Sequence, residues 1–160
     1  MCLNVDMTNK DKLKYAFGLY PKAKEDIEVY VFRKIDIINN KIASPCNKML
    51  WKINKTNKAL GWRSFLWNKD GLGKGWIHSM QNRKGLIKYM QEIIPQYAIR
   101  FDYRNGYKIQ IYKAIIPKGT KYYKGYCNTY LFKLGLEGYA STKLKLKELI
   151  YEFNNPYELY

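Results

Sequence analysis

The ten residues Tyr107–Ile116 (YKIQIYKAII) constrain this chain more than any other stretch. They are rich in β-branched and aromatic side chains and follow Asn105-Gly106, a pair that supplies the positive φ angles of a type I′ turn. A β-hairpin is therefore expected, with Tyr97–Arg104 as first arm and Tyr107–Ile116 as second. In the second arm Tyr107, Ile109 and Ile111 alternate with Lys108, Gln110 and Tyr112. This predicts one face in the core and one face carrying charge and aromatic groups.

A hairpin alone is marginal in water, so partners must come from elsewhere in the sequence. Ile27–Lys34 reads as a strand by composition, and Lys143–Leu149 alternates lysine with leucine. Shorter extended pieces are expected at Met49–Ile53, Tyr122–Tyr126 and Thr129–Leu134. A helix is expected near Asp11–Leu19, closed by Gly18 and Pro21. A second runs through Met80–Ile94, with Ser79 as N-cap, Pro95 as its end, and an apolar stripe of Leu86, Met90, Ile93 and Ile94. No repeat or linker divides the chain. The expected fold is one α+β domain over residues 1–160, a twisted antiparallel sheet with one or two helices packed on one face.

With 47% hydrophobic and 16% aromatic residues among 160, a core is affordable. No apolar run reaches the roughly 18–20 residues of a membrane span. Met1–Lys14 has no apolar stretch of the secretory type. Cys2, Cys46 and Cys127 are odd in number and widely spaced. They suit neither a disulfide framework nor a zinc site, and point to a reducing compartment.

Charge is distributed unevenly. Residues 1–40 carry 7 basic and 6 acidic side chains, residues 41–126 carry 18 and 3, and residues 127–160 carry 4 and 4. The strongly basic middle, 41–126, is interleaved with Trp51, Trp62, Trp67 and Trp76, so it belongs to folded structure rather than to a disordered arm. A concentrated positive field favours a polyanion, nucleic acid first. Single strands are held by cations on phosphate and aromatics under bases. The expected nucleic-acid-binding residues are Arg63, Lys69, Lys74, Trp76, Arg83, Lys84, Arg100, Arg104, Lys108, Lys118, Lys121 and Lys124. The hairpin cations Arg100, Arg104 and Lys108 are expected to matter most. Lys143, Lys145 and Lys147 are expected to matter less, offset by Glu148 and Glu152.

Little other chemistry is legible. Asp70, Glu92 and Asp102 are the only acids of the basic middle, too few for a two-metal nuclease. Neither a metal nor a cofactor is expected. His78 is the sole histidine and reads as structural or capping. Gly71-Leu72-Gly73-Lys74-Gly75 lacks the Lys-Ser/Thr ending of a phosphate-binding loop and reads as a mobile basic loop.

Ile116-Pro117-Lys118-Gly119-Thr120-Lys121-Tyr122-Tyr123, followed by Tyr139-Ala140-Ser141, resembles small phage and prophage accessory proteins of low-GC bacteria. Phe32-Arg33-Lys34, Ser44-Pro45 and Gly75-Trp76-Ile77-His78-Ser79 extend the resemblance over most of residues 30–147. It implies a counter-defence protein of the host bacterial cytoplasm. Within that group it implies an anti-CRISPR inhibitor of an RNA-targeting (type VI-B) effector. Such a protein would engage guide RNA or a ribonucleoprotein and needs no membrane, cofactor or catalytic residue. Two other readings stand beside it. One is an ADP-ribosyltransferase-like enzyme using Arg33 and Ser141-Thr142, although its Glu-x-Glu is missing. The other is a virion structural protein with a basic face.

Overall fold

A computed structural model describes residues 4–36, 39–43, 50–59, 72, 75–97, 107–128 and 135–153. In chain order the elements are β1 (Asn4–Val5), α1 (Asn9–Lys14), β2 (Ile27–Asp36), β3 (Lys41–Ala43), β4 (Leu50–Trp51), β5 (Thr56–Lys58) and β6 (Ile77–Met80). There follow α2 (Arg83–Tyr97), β7 (Tyr107–Ile116), β8 (Tyr122–Asn128), β9 (Leu136–Ser141) and β10 (Lys143–Phe153). The strands form one sheet in the order β1-β8-β9-β6-β2-β7-β10-β5, with β3 on β2 and β4 on β3. Every strand pair is antiparallel. The α+β class is as expected from the sequence.

The topology dictates the shape of this sheet. Ser141 ends β9 and Lys143 begins β10, so only Thr142 separates them. Two Cα steps span at most about 7 Å. Yet β6, β2 and β7 lie between β9 and β10. Four strand spacings in a flat sheet would cover roughly 19 Å. The sheet must curl until its ninth and tenth strands are halves of one segment bent at Thr142. It does not close into a barrel: β1 and β5 end the path.

The curl creates two cores. Val29, Val31, Ile77, Tyr112, Ala114, Ile116, Tyr139, Leu144 and Leu146 form one cluster with Ala23, Trp51 and Ala59. Its described members all come from strands and connecting segments. Phe32, Met80, Ile109, Ile111, Cys127 and Ala140 lie in the other, on the outer face. That face is covered by Leu86, Tyr89 and Met90 of α2, with the Tyr89 ring 5.8 Å from that of Phe32. A fully buried side chain of this size contributes about 1.5–3 kcal/mol.

Several local expectations change. β7 is no hairpin arm with one wet face. It is paired along one edge by β2, from Asp36↔Tyr107 to Ile27↔Ile116, and along the other by β10, from Phe153↔Ile109 to Lys145↔Ile115. Gln110 and Tyr112 are buried, as are Ile109 and Ile111. Tyr97 ends α2, and the rest of the expected first arm lies outside the described residues, as does Thr129–Leu134. The chain from Ile77 to Met80 is strand, paired with β9, so Ser79 caps nothing. Asn82 does so instead: its Oδ1 accepts the Gly85 N–H at 2.7 Å, the bond expected of an N-cap residue. α2 continues through Pro95 to Tyr97. The side chains of Ile93 and Ile94 lie outside the described residues. α1 is only six residues long, capped by Thr8.

The glycine-rich stretch is anchored in its middle. Leu72 is fully buried and exchanges two backbone hydrogen bonds with Val5, at 3.0 and 2.9 Å. His78 Nε2 lies 2.8 Å from the Leu72 carbonyl. A carbonyl only accepts, so Nε2 carries the proton of a neutral ring. Burial pushes this imidazole down from its ordinary 6.5 to about 4. Below pH 6.5 the unfolded chain therefore takes up a proton that the native chain refuses. Stability should fall as pH drops from 6.5 to about 4, by up to about 3 kcal/mol. His78→Gln can keep a donor to Leu72 but does not titrate. Thermal melts over this range should show a shallower pH slope for the variant than for the native chain.

Candidate nucleic-acid interface

The bend at Thr142 brings together lysines that are distant in sequence. Pro117 accepts the Thr120 N–H at 3.1 Å, and Gly119 N–H donates to Ala23 at 2.8 Å. Gly119 has φ +80°, the left-handed value that a type II turn requires at its third position. The Lys118 N–H is held by Asp26 Oδ1 at 2.8 Å. This turn lays residues 120–122 against 21–23: Ala23 N–H donates to Thr120, and Tyr122 N–H to Pro21. Lys22 and Lys121 consequently stand directly opposite each other.

A second lysine pair stands beside the first. The Lys121 carbonyl accepts from the Thr142 N–H at 3.1 Å, and the Thr142 carbonyl accepts from the Ala59 N–H at 2.9 Å. Next along, Lys58 is the direct cross-strand partner of Lys143. Side chains alternate between faces along a strand. Tyr123 belongs to the outer core and Leu144 to the inner one, so Lys121 and Lys143 both lie on the outer face, each with its partner. Lys22, Lys58 and Lys143 are exposed. Lys121 is half-buried and donates to the Gly18 carbonyl at 3.3 Å. None of the four forms an ion pair with a described residue.

Two opposed like-charge pairs set side by side are electrostatically unfavourable in the free protein. An anion lying across both would relieve them. The arrangement places four lysines at paired positions on one face, where phosphate groups could be bound, and no described metal-binding cluster of His, Cys, Asp and Glu accompanies it.

The expected contact residues separate into groups. Lys118 and Lys121 belong to this corner. Arg83 and Lys84 are exposed at the start of α2, where they form a different patch with the exposed Lys88. Lys124 is exposed on the opposite face of β8, 6.0 Å from the Tyr139 ring centroid. Lys108 is neutralised by Glu152 at 2.9 Å. Trp76 cannot offer a stacking face: it is buried in the outer core, with the Tyr20 ring edge-on at 4.8 Å. Arg63, Lys69, Lys74, Arg100 and Arg104 lie outside the described residues. Lys22, Lys58 and Lys143 were not among the expected residues. The alternation of Lys143 and Lys145 was visible, but the offset assigned to Glu152 is spent elsewhere. Its carboxylate accepts from Gln110 at 2.6 Å and from Lys108, and both hold its pKa below the ordinary carboxylate value.

Arg33, Ser141 and Thr142 are buried. The Arg33 guanidinium lies 3.9 Å from the Trp51 ring centroid and donates to the Phe32 carbonyl at 2.7 Å. Ser141 Oγ donates to the Lys143 carbonyl at 3.1 Å, and Thr142 Oγ1 to that of Lys121 at 3.4 Å. Both hydroxyls brace the bend.

The opposed lysines give a stability test. Lys58→Glu should convert a repulsive pair into an attractive one and stabilise by about 0.2–1 kcal/mol. That corresponds to a rise in melting temperature of roughly 1–3 °C for a chain this size. Lys143→Glu should do the same, whereas the double variant should return to the native value. Thermal melts at low salt check the cycle, and high salt should erase it.

Comparison with protein-family models, with curated proteins and with solved structures finds no match to this chain.

Proposed function

We propose that this chain is a binding protein for RNA, free or within a ribonucleoprotein, and that the lysine corner at Thr142 engages its phosphate backbone. The observation that carries this reading is the pair of directly opposed lysine couples, Lys22↔Lys121 and Lys58↔Lys143. Repulsion that a fold retains on one face is relieved by a polyanion. The net charge of +16 adds long-range attraction. The resemblance of Ile116–Tyr123 to phage accessory proteins joins this proposal. A counter-defence role, with guide RNA of an RNA-targeting effector as ligand, gives the cations a target. The transferase alternative is less well supported, because the Arg33 guanidinium is stacked on Trp51 and the Ser141 and Thr142 hydroxyls hold backbone carbonyls.

Fluorescence anisotropy with a labelled RNA single strand tests the proposal. Four phosphate contacts predict a slope of log affinity against log salt near 3, or about fiftyfold weakening between 50 and 200 mM salt. Lys58→Glu with Lys121→Glu should reduce that slope and weaken binding at least tenfold. Lys108→Glu should change it little, since Glu152 already compensates Lys108. A flat salt titration, or equal losses in both variants, refutes the lysine corner as the site.

A further inference from the structure

Beside the lysine corner the chain presents an apolar knuckle that belongs to neither core cluster of the described residues. Leu13 is 80% exposed, Phe17 90% and Leu19 73%. The stretch is nevertheless firmly built. Tyr15 N–H donates to Asp11 and Gly18 N–H to Tyr15, both at 2.9 Å. The Tyr15 ring stacks on Tyr20 at 5.2 Å and meets Tyr123 edge-on at 6.2 Å. Gly18 turns the chain with φ +74°. An aromatic ring held outward by a fixed turn keeps apolar area in water, and a flat ligand packed on it would remove that area from solvent.

The knuckle is continuous with the cationic corner. Lys121, half of the first lysine pair, donates its ammonium to the carbonyl of Gly18, the residue after Phe17. Lys22 follows three residues beyond Leu19 and faces Lys121. A surface that sets a free aromatic ring next to paired ammonium groups matches a ligand carrying both flat apolar faces and phosphates. Single-stranded nucleic acid does so, whereas a duplex hides its base faces.

We propose that Phe17 is a stacking platform for an unpaired base, and that the corner is selective for single strands. This deepens the RNA-binding reading and rests on it. Phosphates lie on Lys22 and Lys121 while the neighbouring base lies on the Phe17 ring, its edges screened from water by Leu13 and Leu19.

The test measures anisotropy of a labelled 12-nucleotide RNA, single-stranded and annealed to its complement, at 50 mM salt. Thermal melts show that each variant is folded. Phe17→Ala should weaken single-strand binding roughly five- to 150-fold and leave duplex binding unchanged. Phe17→Leu, which keeps an apolar side chain but no ring face, should restore little. Lys22→Glu with Lys121→Glu should weaken both ligands. Native affinity of Phe17→Ala for the single strand, with the lysine variant impaired, overturns the stacking site and leaves the RNA-binding reading intact. Native affinity of Phe17→Leu overturns stacking in favour of a generic apolar contact. Concentration-dependent dimerisation abolished by Phe17→Ala reassigns the knuckle to a second copy of the chain. If the native protein binds neither RNA, both readings fail together.

Discussion

The bend at Thr142 is the constraint on which the rest of the structure depends. β9 must pair with β6 and β10 with β7, yet one residue joins them. Both ladders form only if the sheet rolls around its own inner core. Thr142 is secured on both sides by Lys121 and Ala59 through backbone hydrogen bonds, and the hydroxyls of Ser141 and Thr142 close on neighbouring carbonyls. Released at this point, the inner core would lose its lid, since Leu144 and Leu146 arrive from beyond the bend. The same bend sets the two lysine pairs side by side. Architecture and candidate site therefore share one cause.

The inner face also shows how the fold manages polar groups. Arg33, Gln110 and Glu152 align in register across β2, β7 and β10. Gln110 accepts the Tyr112 hydroxyl proton and donates to Glu152. Arg33 lies against Trp51. Burying a charge is costly unless contacts and hydrogen bonds replace water; Arg33 has the Trp51 ring and the Phe32 carbonyl for this, while Glu152 stays exposed. Lys108, which looks like a ligand contact in the sequence, is thus absorbed by its ion pair with Glu152.

Much of the fold was legible because it follows from local rules. β2, β7 and β8 announce themselves by β-branched and aromatic content, and β10 by the lysine–leucine alternation that puts Leu144 and Leu146 inside. β1, β3, β5, β6 and β9 escaped notice. β1, β3, β5 and β6 are at most four residues long, and in β5 and β9 the residues Asn57, Lys58, Glu137 and Gly138 are of types depleted in strands. Gly138 is there for closeness: a Cβ would meet Cys127 Sγ at 2.3 Å and the Ser79 carbonyl at 2.6 Å. Only the neighbours reveal that need. The Asn105-Gly106 signal misled for the same reason, since distant strands occupy both edges of β7.

By itself the sequence determined the class of fold, the alternation of its longer strands and the excess of positive charge. These depend on composition and on a two-residue period, both of which are local. Tertiary structure alone decided which lysines face each other, which carboxylates neutralise which cations, and that Trp76 is core while Phe17 is surface. Those outcomes depend on register between strands as far apart as residues 58 and 143. Register across such separations is fixed by how the sheet curls, and no local pattern encodes that.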